Sequence, residues 1–188
     1  ENIMRGLVEK ENAKFLLLSK FLNSAILSDI LSDMEVSSTI AGLMPNIRNK
    51  KIFGRANTLK IRALNSGEDY HGIYEGLKTY TRMTKGEIIV VENEVQDKAY
   101  FGELNAHLAI RAGAIGAILS GVTRDSEEVI RLDYPVFAHG YSCSDVKGRA
   151  TIAGHQVPIE IQGIKINPGD LIFADLCGVV RIPRHLET

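Results

Sequence analysis

Apolar positions recur at helical spacing early in the chain and give way to strand-type runs after the first fifty or so residues. Phe15, Leu18 and Leu22 mark a helix over Asn12–Leu22. Ile26, Leu27, Ile30 and Leu31 mark a second over Ser24–Met34, with Asn23 or Ser24 as its N-cap. Beyond Pro45 the pattern changes: Lys51–Phe53 and Ala56–Ala63 read as strands, the second alternating Leu59 and Ile61 with Lys60 and Arg62. Asp69–Thr81 reads as a helix with Ile73 and Leu77 inward. Lys85-Gly86 then turns the chain into an apolar strand over Glu87–Glu92, and Asn93–Lys98 is a loop. The C-terminal part is all strand and turn, with strands at Ala150–Ala153, Val157–Gln162, Ile164–Ile166, Leu171–Ala174 and Val179–Ile182. Helices outside a strand-rich centre predict an α/β layered domain, with neither an internal repeat nor a low-complexity linker.

The stretch from Phe101 to Glu128 organises the rest. Leu104, Leu108 and Ala112 share one helical face, Arg111 lies in the last turn, and Gly113 supplies the stop. Ala114–Leu119 is a continuous apolar run, which predicts a strand covered on both faces. Gly116 within it predicts a close approach by another element. The strand ends in a turn that presents Arg124 and Asp125, two opposite charges at a strand's carboxyl end, where a pocket can form. Ser126–Leu132 follows as a short helix, and Tyr134-Pro135 leads into the strand Val136–Ala138.

Composition narrows the function classes. The 188 residues are 45% hydrophobic and 24% charged, as one globular domain over 1–188 requires; with no methionine at position 1, a piece of a longer chain stays open. A formal net charge of -1 gives no electrostatic case for nucleic acid or an anionic membrane. Cys143 and Cys177 form no CxxC pair, so neither a disulfide framework nor a thiolate zinc site is indicated, and a reducing, cytoplasmic setting is the default. No apolar run nears the roughly 20 residues of a membrane span, and no signal peptide is visible.

Each chemically suggestive residue has an ordinary alternative. Asp29 and Asp33 lie four apart on one helical face, as a solvated polar face also would. Lys60, flanked by apolar residues, could be a Schiff-base nucleophile, but the alternation points it outward as an exposed strand lysine. Asp125 and Glu128 fit a capping box, with Asp125 as N-cap. Arg124 could grip a carboxylate in bidentate fashion or pair with Glu127 or Glu128 on the surface. The five histidines show no HxH or HExxH spacing. His107 stands one turn after Glu103, as a surface pair would. Asn167-Pro168-Gly169-Asp170 and Asp175 read as turn chemistry.

FGEL at 101–104, RAGAIG at 111–116 and SGVTRD at 120–125 together resemble the RraA-like family. That family contains the 4-hydroxy-4-methyl-2-oxoglutarate/4-carboxy-4-hydroxy-2-oxoadipate aldolases and the regulator of RNase E activity A. The resemblance extends from about Asn23 to Pro183 through SDIL, FGRA, GEIIVV, YPVFAHG and PGDLIFADLCGVVRIP. The aldolase branch has an acidic residue, twenty residues, then Arg-Asp; here Glu103 stands where Asp is usual, followed after that spacing by Arg124-Asp125.

What the resemblance implies is an αββα sandwich assembling as a homotrimer or hexamer, and a metal-dependent aldolase that releases pyruvate from a small 2-oxo acid and also decarboxylates oxaloacetate. It assigns Asp125 as metal ligand, Arg124 as catalytic and substrate-binding, and Glu103 to holding metal-bound water. The N–H groups of Glu103, Leu104 and Asn105 at the helix start make a seat for a substrate carboxylate, provided that the Glu103 side chain turns away. One protein carboxylate without a histidine cluster favours Mg2+ or Mn2+ over zinc. The alternative within the family is a non-catalytic protein-binding regulator, a branch that lacks the Asp after the Arg.

Overall fold

The computed structural model describes residues 2–187. In chain order the elements are α1 (Asn2–Ser19), α2 (Ser24–Asp33), β1 (Thr39–Ile40), β2 (Met44–Pro45), β3 (Ile52–Ala63), a 3-10 helix (Tyr70–Leu77) running into α3 (Lys78–Thr81), β4 (Ile88–Asn93) and α4 (Glu103–Ala112). They continue as β5 (Gly116–Ser120), β6 (Val122–Thr123), α5 (Ser126–Arg131), β7 (Val136–Ala138), β8 (Gly140–Tyr141), β9 (Ala150–His155), β10 (Ile159–Ile161), β11 (Ile164–Ile166), β12 (Leu171–Asp175), β13 (Gly178–Ile182) and a closing 3-10 turn.

The apolar runs build one nine-stranded sheet in the order β1-β13-β12-β3-β4-β5-β7-β2, with β9 on β3. β3, β4, β5 and β7 run parallel at its centre, and both faces are covered. Ile89, Val91, Ala117 and Leu119 pack on one face with Ala106 and Ala109 of α4 and Val129 of α5. Their neighbours Ile88, Val90 and Ile118 pack on the other with Ile159, Ile161, Ile164 and Ile166 of the β10–β11 hairpin. Successive side chains of a strand point to opposite faces, so a run such as Ile88–Val91 can be apolar throughout only when both faces are buried. The fold is therefore mixed α/β, as the sequence pattern implies.

Several boundaries differ from the periodicity reading. The first helix begins well before Asn12 and ends at Ser19. Residues 70–77 wind as a 3-10 helix, and only Lys78–Thr81 is α-helical. The two strands expected around Gly54 are one, because Gly54 and Arg55 pair with Ile172 and Leu171 of β12. Gly54 is needed by its neighbour: a Cβ there would lie 2.5 Å from the Gly86 carbonyl. Gly116 meets its expected close approach, with the same atom falling 2.7 Å from Ile52 Cδ1. Of the two residues expected to cap α2, Asn23 does so, its Oδ1 accepting from the Ile26 N–H at 2.9 Å.

Asp175 does more than shape a turn. Buried at the end of β12, it accepts hydrogen bonds from the Ser24 N–H (2.9 Å), the Ser24 hydroxyl (2.7 Å) and the Cys177 N–H (2.9 Å), tying α2 to the sheet. Burial pushes its pKa up, but the Ser24 and Cys177 donors outweigh burial and leave it below the usual Asp value. A depressed folded pKa means that its stabilisation is present above the unfolded pKa and is lost as pH falls through the folded one. Asp175→Asn is thus expected to cost roughly 1.5–3 kcal/mol near neutrality, the scale of hydrogen bonds to a charged acceptor. Melting curves of both proteins from pH 7 to pH 2 should keep their gap down to the ordinary Asp pKa of about 3.9 and narrow below it, and a gap constant throughout would contradict the assignment.

Candidate functional site

The site is assembled at the start of α4 from two segments that the chain brings together across more than twenty residues. Helix α4 begins after Gly102, which has no side chain to cap it, so its first N–H groups need an acceptor from elsewhere. Phe101 supplies the anchor. Its carbonyl accepts from the Arg124 N–H (3.0 Å) and from the Thr123 hydroxyl (2.8 Å), which docks the Arg-Asp turn beside the helix start. Asp125 then takes a left-handed conformation with φ 52°, tolerated by a short polar residue, and turns its carboxylate back onto α4. Its Oδ2 accepts from the Glu103 N–H at 3.0 Å.

This corrects the capping-box expectation. Asp125 precedes α5 but makes no side-chain capping bond there; it caps α4 from across the turn. The surface pairing weighed for Arg124 is absent too, since Glu127 and Glu128 both pair with Arg131. Arg124 instead lies between two carboxylates, with Nη2 2.8 Å from Asp145 Oδ2 and Nε 3.6 Å from Asp125 Oδ2. Asp145 escaped the sequence reading. Its only local signal is a side-chain turn, with Oδ1 accepting from the Lys147 N–H at 2.6 Å, a common and uninformative motif.

Of the seat expected at the helix start, the Glu103 N–H is occupied by Asp125, while those of Leu104 and Asn105 have no acceptor among the described residues. The Asn105 side chain is fully engaged: Oδ1 accepts from the Tyr80 hydroxyl at 2.7 Å and Nδ2 donates to the Tyr100 carbonyl at 2.8 Å. Burial pushes the Tyr80, Tyr100 and Tyr134 phenols upward, so all three stay neutral. Glu103 does turn away from the seat. Its carboxylate lies 3.6 Å from His107 Nε2, both exposed, and it lines none of the adjoining cavity. Lys60 pairs with Glu92 at 3.2 Å, as a half-exposed strand lysine.

A cavity of about 250 Å3 opens beside these groups, with Gly102, Leu104, Asn105, Arg124, Asp125, Asp145 and Lys147 along it and Ile73, Tyr74, Leu77 and Tyr100 as its less polar wall. A larger, mainly apolar cavity of about 460 Å3 lies at the other end of α4, under α1, but Asp133 is its sole carboxylate and that group pairs with Lys50. Of these two, the smaller holds the Arg-Asp turn and the open helix start, so the candidate site is placed there.

Among the described residues no group of three or more His, Cys, Asp or Glu side chains could hold a metal ion. Of the two carboxylates that line this cavity, Asp125 alone keeps an oxygen, Oδ1, without a partner among the described residues. One open oxygen fits a hard dication that retains most of its water, and does not fit zinc. Among the described residues no single helix is long and apolar enough to cross a membrane.

A two-faced α/β sheet that delivers an Arg-Asp turn to the start of a buried-face helix defines the class to which this chain is assigned. The chain belongs to the RraA-like family, described as Aldolase/RraA, over residues 24–181. Protein DlpA of Legionella pneumophila is 35% identical over 164 residues, 86% of this chain but only 26% of DlpA, so the chain spans about a quarter of that relative. A Halalkalibacterium halodurans protein whose name proposes it as a 4-hydroxy-4-methyl-2-oxoglutarate aldolase is 27% identical over 92% of this chain and 78% of its own length. Among solved structures, an uncharacterized protein from Pseudomonas syringae pv. tomato superposes with a TM-score of 0.80 at 28% identity, covering 93% of this chain and 81% of that one. Streptomyces coelicolor RraAS2, titled an unusual member of the RNase ES inhibitor RraA family, shares the fold at TM-score 0.77 and 21% identity, over 87% of this chain and 81% of its own.

Proposed function

We propose that this protein is a divalent-metal-dependent aldolase that cleaves a 4-hydroxy-2-oxo acid to pyruvate, with oxaloacetate decarboxylation as a side activity. The observation that supports this most is the Asp125 carboxylate at the cavity, with Oδ2 anchored on α4 and 3.6 Å from Arg124 Nε and Oδ1 left without a protein partner. The names of relatives near 30% identity point the same way.

In this reading Asp125 holds Mg2+ or Mn2+, and the ion supplies Lewis-acid polarisation of the substrate's 2-oxo group. The free N–H groups of Leu104 and Asn105, at the positive end of α4, bind the substrate carboxylate. Arg124 faces the negative charge that develops on the pyruvate half as the C3–C4 bond breaks, where an oriented donor lowers the barrier. The role of holding metal-bound water, which the family resemblance gives Glu103, requires its side chain to leave His107 and turn toward Asp125. The protein is expected to work as a homotrimer or hexamer in the cytoplasm. The exposed apolar residues Ile26 and Ile30 on α2, Met34 just after it and Leu104 at the site are available for subunit contact.

The test is pyruvate release from several 4-hydroxy-2-oxo acids and from oxaloacetate, with light scattering on the same sample. Release that requires Mg2+, stops with EDTA and returns with excess Mg2+ is expected. No release from any of them would return the chain to the protein-binding regulators of its family.

A further inference from the structure

Asp145 is held more firmly than a surface carboxylate needs to be. The segment carrying it is bridged to Ala99, just before the site helix: the Ala99 N–H donates to the Ser144 carbonyl (2.8 Å) and the Val146 N–H to the Ala99 carbonyl (3.2 Å). Val146, the next residue, is buried in the same cluster as Phe101 and Leu119. The Asp145 side chain is fixed in turn by its Oδ1 on the Lys147 N–H, which leaves Oδ2 to meet Arg124 Nη2 at 2.8 Å.

The guanidinium is therefore contacted at two separate corners, Nη2 by Asp145 and Nε, more loosely at 3.6 Å, by Asp125. Both are charge pairings, and together they hold the guanidinium in place between the two carboxylates. Nη1 has no partner among the described residues. With Arg124 and Asp145 side chains 37% and 36% exposed, the pair contributes little stability. Its value lies in orientation, because without Asp145 the far end of a half-exposed arginine is free to rotate into solvent.

We propose that Asp145 is a positioning residue, which holds the Arg124 guanidinium at the cavity that both residues line. The consequence for turnover rests on the aldolase reading; this lock on Arg124 does not.

Asp145→Asn separates this role from turn formation, since an asparagine Oδ1 can still accept from the Lys147 N–H while the charge facing Arg124 is gone. Nitrogen-15 NMR of the Arg124 side chain reads the lock directly. The parent protein should give separate, slowly exchanging Nη signals and Asp145→Asn a single averaged one, with unchanged melting temperature. With Mg2+ present, kcat for pyruvate release should fall about tenfold or more, as misplacement of a reacting group implies. KM should stay within about twofold, because the loss lies in the transition state. Averaged Arg124 signals already in the parent protein, or unchanged signals and turnover in Asp145→Asn, would overturn the proposal. A locked Arg124 that Asp145→Asn releases, in a protein that yields no pyruvate from any substrate, would uphold the lock and remove the aldolase reading.

Discussion

Asp125→Asn is expected to lower Mg2+-dependent pyruvate release on the order of 100- to 1,000-fold, the scale of losing one electrostatic group aimed at developing charge. The fold should survive. Asparagine caps a helix about as well as aspartate, so the bond to the Glu103 N–H can be kept. What disappears is the negative charge on the open oxygen, without which a dication that gives up its water reluctantly has little reason to stay. Loss of the charge at the positive end of α4 should cost about 0.3–1 kcal/mol. In a chain of this length that lowers the melting temperature by about 1–4 °C. Turnover and melting measured together decide the question: unchanged turnover would reduce Asp125 to a cap.

Gly102→Ala reaches the same site through sterics alone. Gly102 is extended, with φ -154° and ψ -156°, so alanine meets no backbone strain there. Its Cβ, however, would fall 2.3 Å from Asp125 Oδ2 and 2.9 Å from Arg124 Cγ. Both obstacles are side-chain atoms, so they give way rather than the fold, and the carboxylate must leave the Glu103 N–H. Displacement by about 1 Å of groups that must be aligned with the reacting bond can cost about 100-fold. The loss of one hydrogen bond should cost only about 1 kcal/mol. A variant that melts near the parent temperature and keeps full activity would show that Asp125 and Arg124 do not act where they stand in this structure.

The residues of the Arg-Asp turn were recognisable in the sequence, but the use made of them was not. Asp125 and Glu128 satisfy a capping-box pattern, yet Asp125 adopts φ 52° and serves the other helix. The local pattern cannot distinguish these outcomes, because the deciding acceptor-poor helix start lies more than twenty residues away. Asp145 and Asp175 were hidden for the same reason. Each shows only a two-residue turn in the sequence, while Arg124 and Ser24, the partners that give them meaning, are distant along the chain.

The sequence by itself determined what depends on near neighbours: a cap at Asn23 or Ser24, the stop at Gly113, the apolar strand over Glu87–Glu92, the two-faced burial of Ala114–Leu119, and the polar turn that follows. Such features follow from backbone sterics and from periods of 2.0 and 3.6 residues, which operate within a few positions. Tertiary structure alone decided that Gly54 continues one long strand, because β12 pairs across it, and that residues 70–77 wind as a 3-10 helix. It also decided that Phe101 binds the turn, that Asp125 caps α4, and that Asp145 meets Arg124. These contacts join segments with no shared local pattern, and they exist only once the buried faces of the sheet have fixed where each segment ends.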